Sequence, residues 1–99
     1  MARFCVYEHK ETGNLVLDIQ ANLLNNLNTR VVVPLLPVDE APTGADRLNP
    51  VFNIEGEQYV MVTQFLSAIR NAEIGPEITN LYKQDTEIQN ALDMLFSGF

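Results

Sequence analysis

The 99 residues carry thirteen acidic and six basic side chains, a net charge of −7, with 46% hydrophobic and 19% charged residues; this is the balance of a globular domain and excludes a disordered or fibrous chain. The cations Arg3, Lys10, Arg30, Arg47, Arg70 and Lys83 are scattered, so direct nucleic-acid binding, which needs a clustered basic face, is not expected, and a basic protein partner suits the surface better. No apolar run approaches the roughly 18 residues of a membrane span, the first residues lack a signal-peptide core, and the single cysteine cannot form an internal disulfide, so one cytoplasmic domain spanning 1–99 is expected.

Residues 3–8 and 15–19 alternate apolar and polar around the polar break Glu11-Thr12-Gly13-Asn14, the pattern of two paired strands. Residues 21–28 set the pair Leu23-Leu24 among four asparagines, which favour turns, so a loop or single turn belongs there. Residues 30–36 are nearly continuously apolar and β-branched, a strand buried on both faces, with Pro34 marking a bulge, an edge or a bend. Three prolines and Thr43-Gly44 make 37–50 a surface loop.

Residues 51–54 and 57–62 flank Glu55-Gly56 as a tight hairpin, with glycine supplying positive φ. A short turn is expected at 65–68, and Gly75-Pro76 is expected to end any strand near Ile74. The clearest element is a terminal helix whose residues Ile88, Ala91, Leu92 and Leu95 share one face, flanked by Phe96 and Met94. Thr86 and Gln89 have capping-box spacing, with a start two or three residues earlier as the alternative, Asp85 and Glu87 suit the positive end of the helix dipole, and Gly98 suits the helix stop. Strands followed by one helix make a small α+β or barrel-like domain.

Catalytic chemistry is not legible. One His and one Cys do not make a metal site; His9 reads as a solvated loop residue and Cys5 as a half-buried structural thiol. Glu55 and Glu57 read as solvated carboxylates around a turn rather than an acid/base pair. No catalytic residue, metal or cofactor is therefore expected.

The informative end is the apolar stretch at 94–99, Met-Leu-Phe-Ser-Gly-Phe, which follows a rigid helix. The last helical turn has no cation to complement the helix dipole and adds Asp93, so a partner's arginine would find a carboxylate, a dipole and the rings of Phe96 and Phe99. Phe96 is weighed equally between core and interface, and Phe99, beyond the breaking glycine, leans towards interface.

The order of motifs resembles that of the CcdB toxins of toxin–antitoxin modules. It is carried by Arg-Phe-Cys-Val-Tyr at 3–7, Leu-Asp-Ile-Gln before the Leu-Leu pair, Thr-Arg-Val-Val-Val-Pro-Leu at 29–35, Asn-Leu before the helix, and Asn-Ala-Leu-Asp-Met-Leu-Phe-Ser-Gly-Phe at 90–99. The resemblance implies an SH3-like barrel of twisted antiparallel sheet with a small second sheet and a C-terminal helix. It also implies a two-fold homodimer, with Met94 and Leu95 turned inward or towards the mate. The implied activity is poisoning of DNA gyrase, by entering the A-subunit dimer and trapping cleaved DNA, with Leu23, Leu24, Asp93, Phe96, Ser97, Gly98 and Phe99 as gyrase-contacting positions. Asp93 and Ser97 stand where the best-known pattern has Asn and Trp, so the stacking aromatic is displaced or supplied by Phe99. A cognate antitoxin with a disordered or basic tail would meet an acidic surface at Glu8, Glu11, Asp39, Glu40 and Asp46. Two further readings share the fold: an endoribonuclease like the MazF toxins, and an inactive relic that still binds antitoxin.

Overall fold

Apolar alternation places the first strands. In a computed structural model, which describes residues 2–98, β1 (Cys5–His9) and β2 (Leu15–Asp18) pair antiparallel with Val6 opposite Leu17. β2 continues onto β3 (Thr29–Pro37), the longest strand, with Leu17 opposite Val33. On its other edge β3 changes partner. Thr29 to Val32 pair with β6 (Ser67–Arg70), whereas Leu35 to Pro37 pair with β5 (Glu57–Met61). Pro34 lies between the two partners, where a missing N–H donor costs the ladder little, and its carbonyl accepts the Val62 N–H at 3.1 Å.

β4 (Val51–Ile54) and β5 form the expected hairpin, with Ile54 opposite Glu57. Its two turn residues, Glu55 (φ 52°) and Gly56 (φ 86°), are both left-handed, the backbone that matches the twist of the flanking strands. β7 (Ile74–Asn80) adds to the outer edge of β1, giving a seven-stranded antiparallel sheet in the order β4-β5-β3-β2-β1-β7 with β6 on β3. The result is a curled antiparallel half-barrel closed by one helix, α1 (Asp85–Ser97), the expected α+β class.

Three local expectations are corrected. Residues 65–68 are not one turn: a 3₁₀ turn over Thr63–Phe65 leads into β6. Gly75-Pro76 does not end a strand but lies inside β7. Among the described residues that strand pairs only with β1, through irregular register, so an edge proline is tolerated; Gly75 is required because a Cβ there would meet the Glu8 carbonyl oxygen at 2.6 Å. The capping box at Thr86 does not form. α1 starts two residues earlier than that box implies, within the earlier start the sequence allowed, with Gln84 as N-cap and no side-chain cap, while Asp85 and Glu87 do occupy its first turn.

The main core lies between the concave sheet face and α1. Val6, Leu17, Val33, Leu35 and Met61 from the sheet meet Ile88, Ala91 and Leu92 from the helix. Burying side chains such as Ile88 and Leu92 contributes about 1.5–3 kcal/mol each. A smaller cluster, Cys5, Tyr7, Val16, Val32 and Ile74, fills the opposite face, so β1 to β3 are buried on both sides. At the end of α1, Gly98 takes φ 78° and its N–H reaches the Met94 carbonyl at 3.1 Å, the expected stop.

Candidate functional site

The loop at 21–28 between β2 and β3 is exposed at every residue. It carries a single 3₁₀ turn, Asn22–Leu24, and displays Leu23 (92% exposed), Leu24 (47%) and Leu27 (48%). Exposed leucines in a cluster mark a contact surface more than a fold requirement. The loop is held from below by polar side chains. Arg30 and Asp18 are fully buried and paired, with Arg30 Nε donating to Asp18 Oδ2 at 3.0 Å and Nη2 donating to the same oxygen. Arg30 Nη1 donates to Asn25 Oδ1 in the loop at 2.6 Å. The Gln20 amide donates to the Leu24 carbonyl at 3.1 Å and to the Thr29 carbonyl at 3.3 Å, and accepts the Val31 N–H at 3.0 Å. Burial pushes the Asp18 carboxyl up, against the downward pull of the Gln20 N–H and of Arg30.

At the helix end, Phe96 is 70% exposed and Asp93, Ser97 and Gly98 are also exposed. Phe96 is therefore not core, which resolves its equal weighting towards a free aromatic surface. Phe99 lies outside the described residues.

Arg3 connects the loop to the helix. Its N–H donates to Asn22 Oδ1 at 2.8 Å, its guanidinium donates to Gln89 Oε1 at 3.1 Å, and the Gln89 amide donates to Asp93 Oδ1 at 3.4 Å. One polar chain thus runs from the leucine loop to Asp93, joining the two halves of the expected contact set. The residue after Arg3, Phe4, adopts φ 69°, which breaks the expected alternation at 3–8, and β1 begins at Cys5. A left-handed phenylalanine is a strained conformation; the Arg3 guanidinium lies 4.6 Å from its ring centroid, and the Phe4 N–H and C=O bond Asp18 and Leu81. In the sequence Arg3 and Gln20 stand only as motif residues, not as holders of the loop, because an isolated polar residue has no period.

The acidic positions divide. Glu8 and Glu40, with Glu55, rim a cleft of about 320 Å³ at the barrel mouth, floored by Leu15, Leu35, Ile54 and Tyr59. Glu11 and Asp39 are exposed on the connections after β1 and β3. Asp46 sits apart, in an open, largely apolar groove of about 590 Å³ between Ala45–Leu48 and the helix residues Met94 and Leu95. Leu95 is 36% exposed there and Met94 is half-buried, so the isolated chain leaves this helix flank uncovered.

Two residues differ from their expected settings. His9 ends β1 and is mostly shielded: its Nδ1 accepts the Glu11 and Thr12 N–H groups at 3.1 and 3.4 Å, while Nε2 lies 3.5 Å from Glu73. It organises the β1–β2 turn instead of being solvated. Cys5 is fully buried rather than half-buried, with Sγ 3.3 Å from the Tyr82 hydroxyl. That contact, with burial, pushes the Tyr82 phenol up to about 12. Among the described residues no group of three or more His, Cys, Asp or Glu could hold a metal, and no helix is long and apolar enough to cross a membrane.

Solved structures share this architecture, among them two mycobacterial proteins. The Mycobacterium tuberculosis toxin MazF-mt6 superposes with a TM-score of 0.77 at 15% identity, covering 95% of this chain and 96% of that one. An endoribonuclease from a mycobacterial species gives 0.75 at 17% identity, covering 97% and 90%. At those identities the likeness shows the fold. The sequence pattern of the CcdB protein family matches residues 3–98, nearly the whole chain, and this protein therefore belongs to the CcdB family of toxin–antitoxin toxins.

Proposed function

We propose that this toxin acts without catalysis, by binding the A subunit of DNA gyrase as a homodimer and trapping the cleaved-DNA complex. The observation that carries the reading is the joined contact face. Leu23 and Leu24 on a tethered loop, and Asp93, Phe96, Ser97 and Gly98 at the helix end, are exposed, and a polar chain through Arg3 runs from Asn22 beside Leu23 to Asp93. Such a face binds by apolar area and shape, with Asp93 and the helix C-terminus offering negative potential to a gyrase arginine. Phe99 supplies the aromatic that Ser97 does not.

The open groove at Met94 and Leu95 supports dimerisation through a second copy of the chain, since an apolar helix flank gains by burial against its symmetry mate. The acidic cleft at Glu8 and Glu40, with Glu11 and Asp39 nearby, supports docking of a basic antitoxin tail whose apolar side chains meet the Leu15 and Leu35 floor. Its three carboxylates disfavour the ribonuclease reading, because they repel a phosphate backbone at the barrel mouth. Asp46 faces the dimer groove and is assigned there instead of to the antitoxin.

The test incubates the purified protein with gyrase, supercoiled DNA and ATP, then denatures the mixture. Linear DNA is the expected product. Absence of trapped cleavage with the host's gyrase overturns the reading, favouring the endoribonuclease if RNA is fragmented instead, and the relic if only antitoxin binds.

A further inference from the structure

The buried ion pair beneath the leucine loop has no evident role in folding. Isolating Asp18 and Arg30 from water is costly, and an apolar pair of similar volume would serve the core as well or better. What a guanidinium adds is direction: two of its nitrogens are fixed on Asp18, and Nη1 projects to Asn25 at 2.6 Å. The loop contributes nothing to the core, so its shape depends on its own backbone bonds, among them Leu24 N–H to the Ala21 carbonyl and Leu27 N–H to the Leu24 carbonyl, and on such tethers. Asn22 is held by the Arg3 N–H, the Leu24 carbonyl by Gln20, Asn25 by Arg30, and the Leu27 carbonyl by the Asn71 amide at 3.1 Å. Each exposed leucine is thus fixed at or beside its own position.

We infer that Arg30 and Asn25 are positioning residues for partner binding, holding the Leu23, Leu24 and Leu27 ridge in its docking shape before any partner arrives. The inference rests on the gyrase reading above. Prior ordering lowers the entropy lost on association, so the tether acts on affinity without touching the partner. Leu27, beside the contact positions recognised from the family, becomes part of the same ridge.

Asn25 is the residue to vary, because it is exposed and in right-handed helical backbone (φ −63°, ψ −18°) that alanine accepts. Asn25→Ala removes the acceptor for Arg30, whereas Asn25→Asp keeps it. Binding to the gyrase A subunit, and hydrogen exchange at the amides of Leu24 and Leu27, are measured for both variants. Asn25→Ala is expected to bind roughly five- to tenfold more weakly, the loss of one buried-donor contact, with faster exchange at both amides, and Asn25→Asp to restore both. Weaker binding with unchanged exchange would mean direct contact by Asn25 and overturn the inference, as would equal binding by Asn25→Ala and the unaltered protein. An unaltered protein that does not bind gyrase overturns the gyrase reading itself, and the inference with it.

Discussion

Arg30 closes on Asp18 with both side chains shut away from solvent, at 1% and 0% side-chain exposure, and this pair lies under a loop that is exposed throughout. Removing one partner leaves the other charged and uncompensated. Asp18→Asn is expected to cost about 3–5 kcal/mol, lowering the thermal midpoint by at least about 12 °C in a chain of this size. The pair Asp18→Leu with Arg30→Met should recover most of that loss while leaving the loop looser at Asn25, where the Arg30 tether is gone. Calorimetry and amide exchange on the three proteins separate the two effects.

The two faces of α1 should respond differently. Ile88 is fully buried and Phe96 is 70% exposed. Ile88→Ala is expected to cost about 2–5 kcal/mol, whereas Phe96→Ala changes stability by under about 0.5 kcal/mol and weakens gyrase binding. Deleting Gly98 and Phe99 should likewise leave dimer mass and thermal midpoint nearly unchanged yet abolish poisoning. A large fall in melting temperature on that deletion would instead place Phe99 in the core.

A charge in the open groove tests the dimer. Met94→Glu sets a carboxylate against Asp46 and the apolar flank of Leu95, so a mate that docks there must bury it unpaired. Light scattering should show the mass fall by half, with the circular dichroism of the single chain retained. An unchanged mass would assign dimerisation to another surface.

Tyr82 offers a spectroscopic check on the second cluster. Its phenol is raised from 10.0 to about 12, first by the hydrogen bond with Cys5, so folding favours the neutral form. The resulting stabilisation is complete below pH 10 and disappears as pH rises through about 12. Cys5→Ala should bring part of the phenolate absorbance down towards the ordinary tyrosine range. An identical titration in the variant would show that the Cys5 thiol does not hold the proton.

The elements legible in the sequence were those set by local rules. The alternation of β1 and β2, the continuous apolar run of β3, the glycine turn at 55–56 and the amphipathic α1 are each written in a period or a turn residue. β6 and the passage of β7 through Gly75-Pro76 were not legible, because short edge strands owe their form to the neighbours they pair with. The capping box was misleading for a related reason: a 3₁₀ turn over Tyr82–Gln84 feeds the helix directly, and Gln89 is occupied by Arg3.

The same division holds for the site. Sequence alone determined the acidic surface, the apolar tip and the motif order that marks a CcdB toxin, since composition and residue order need no coordinates. Only the tertiary structure decided that Phe96 is free, that Asp46 stands apart from Glu8 and Glu40, and that Arg3 bonds both Asn22, 19 residues away, and Gln89, 86 residues away. Those are relations between side chains distant in sequence, fixed by how the sheet curls over the helix, and no local pattern encodes them.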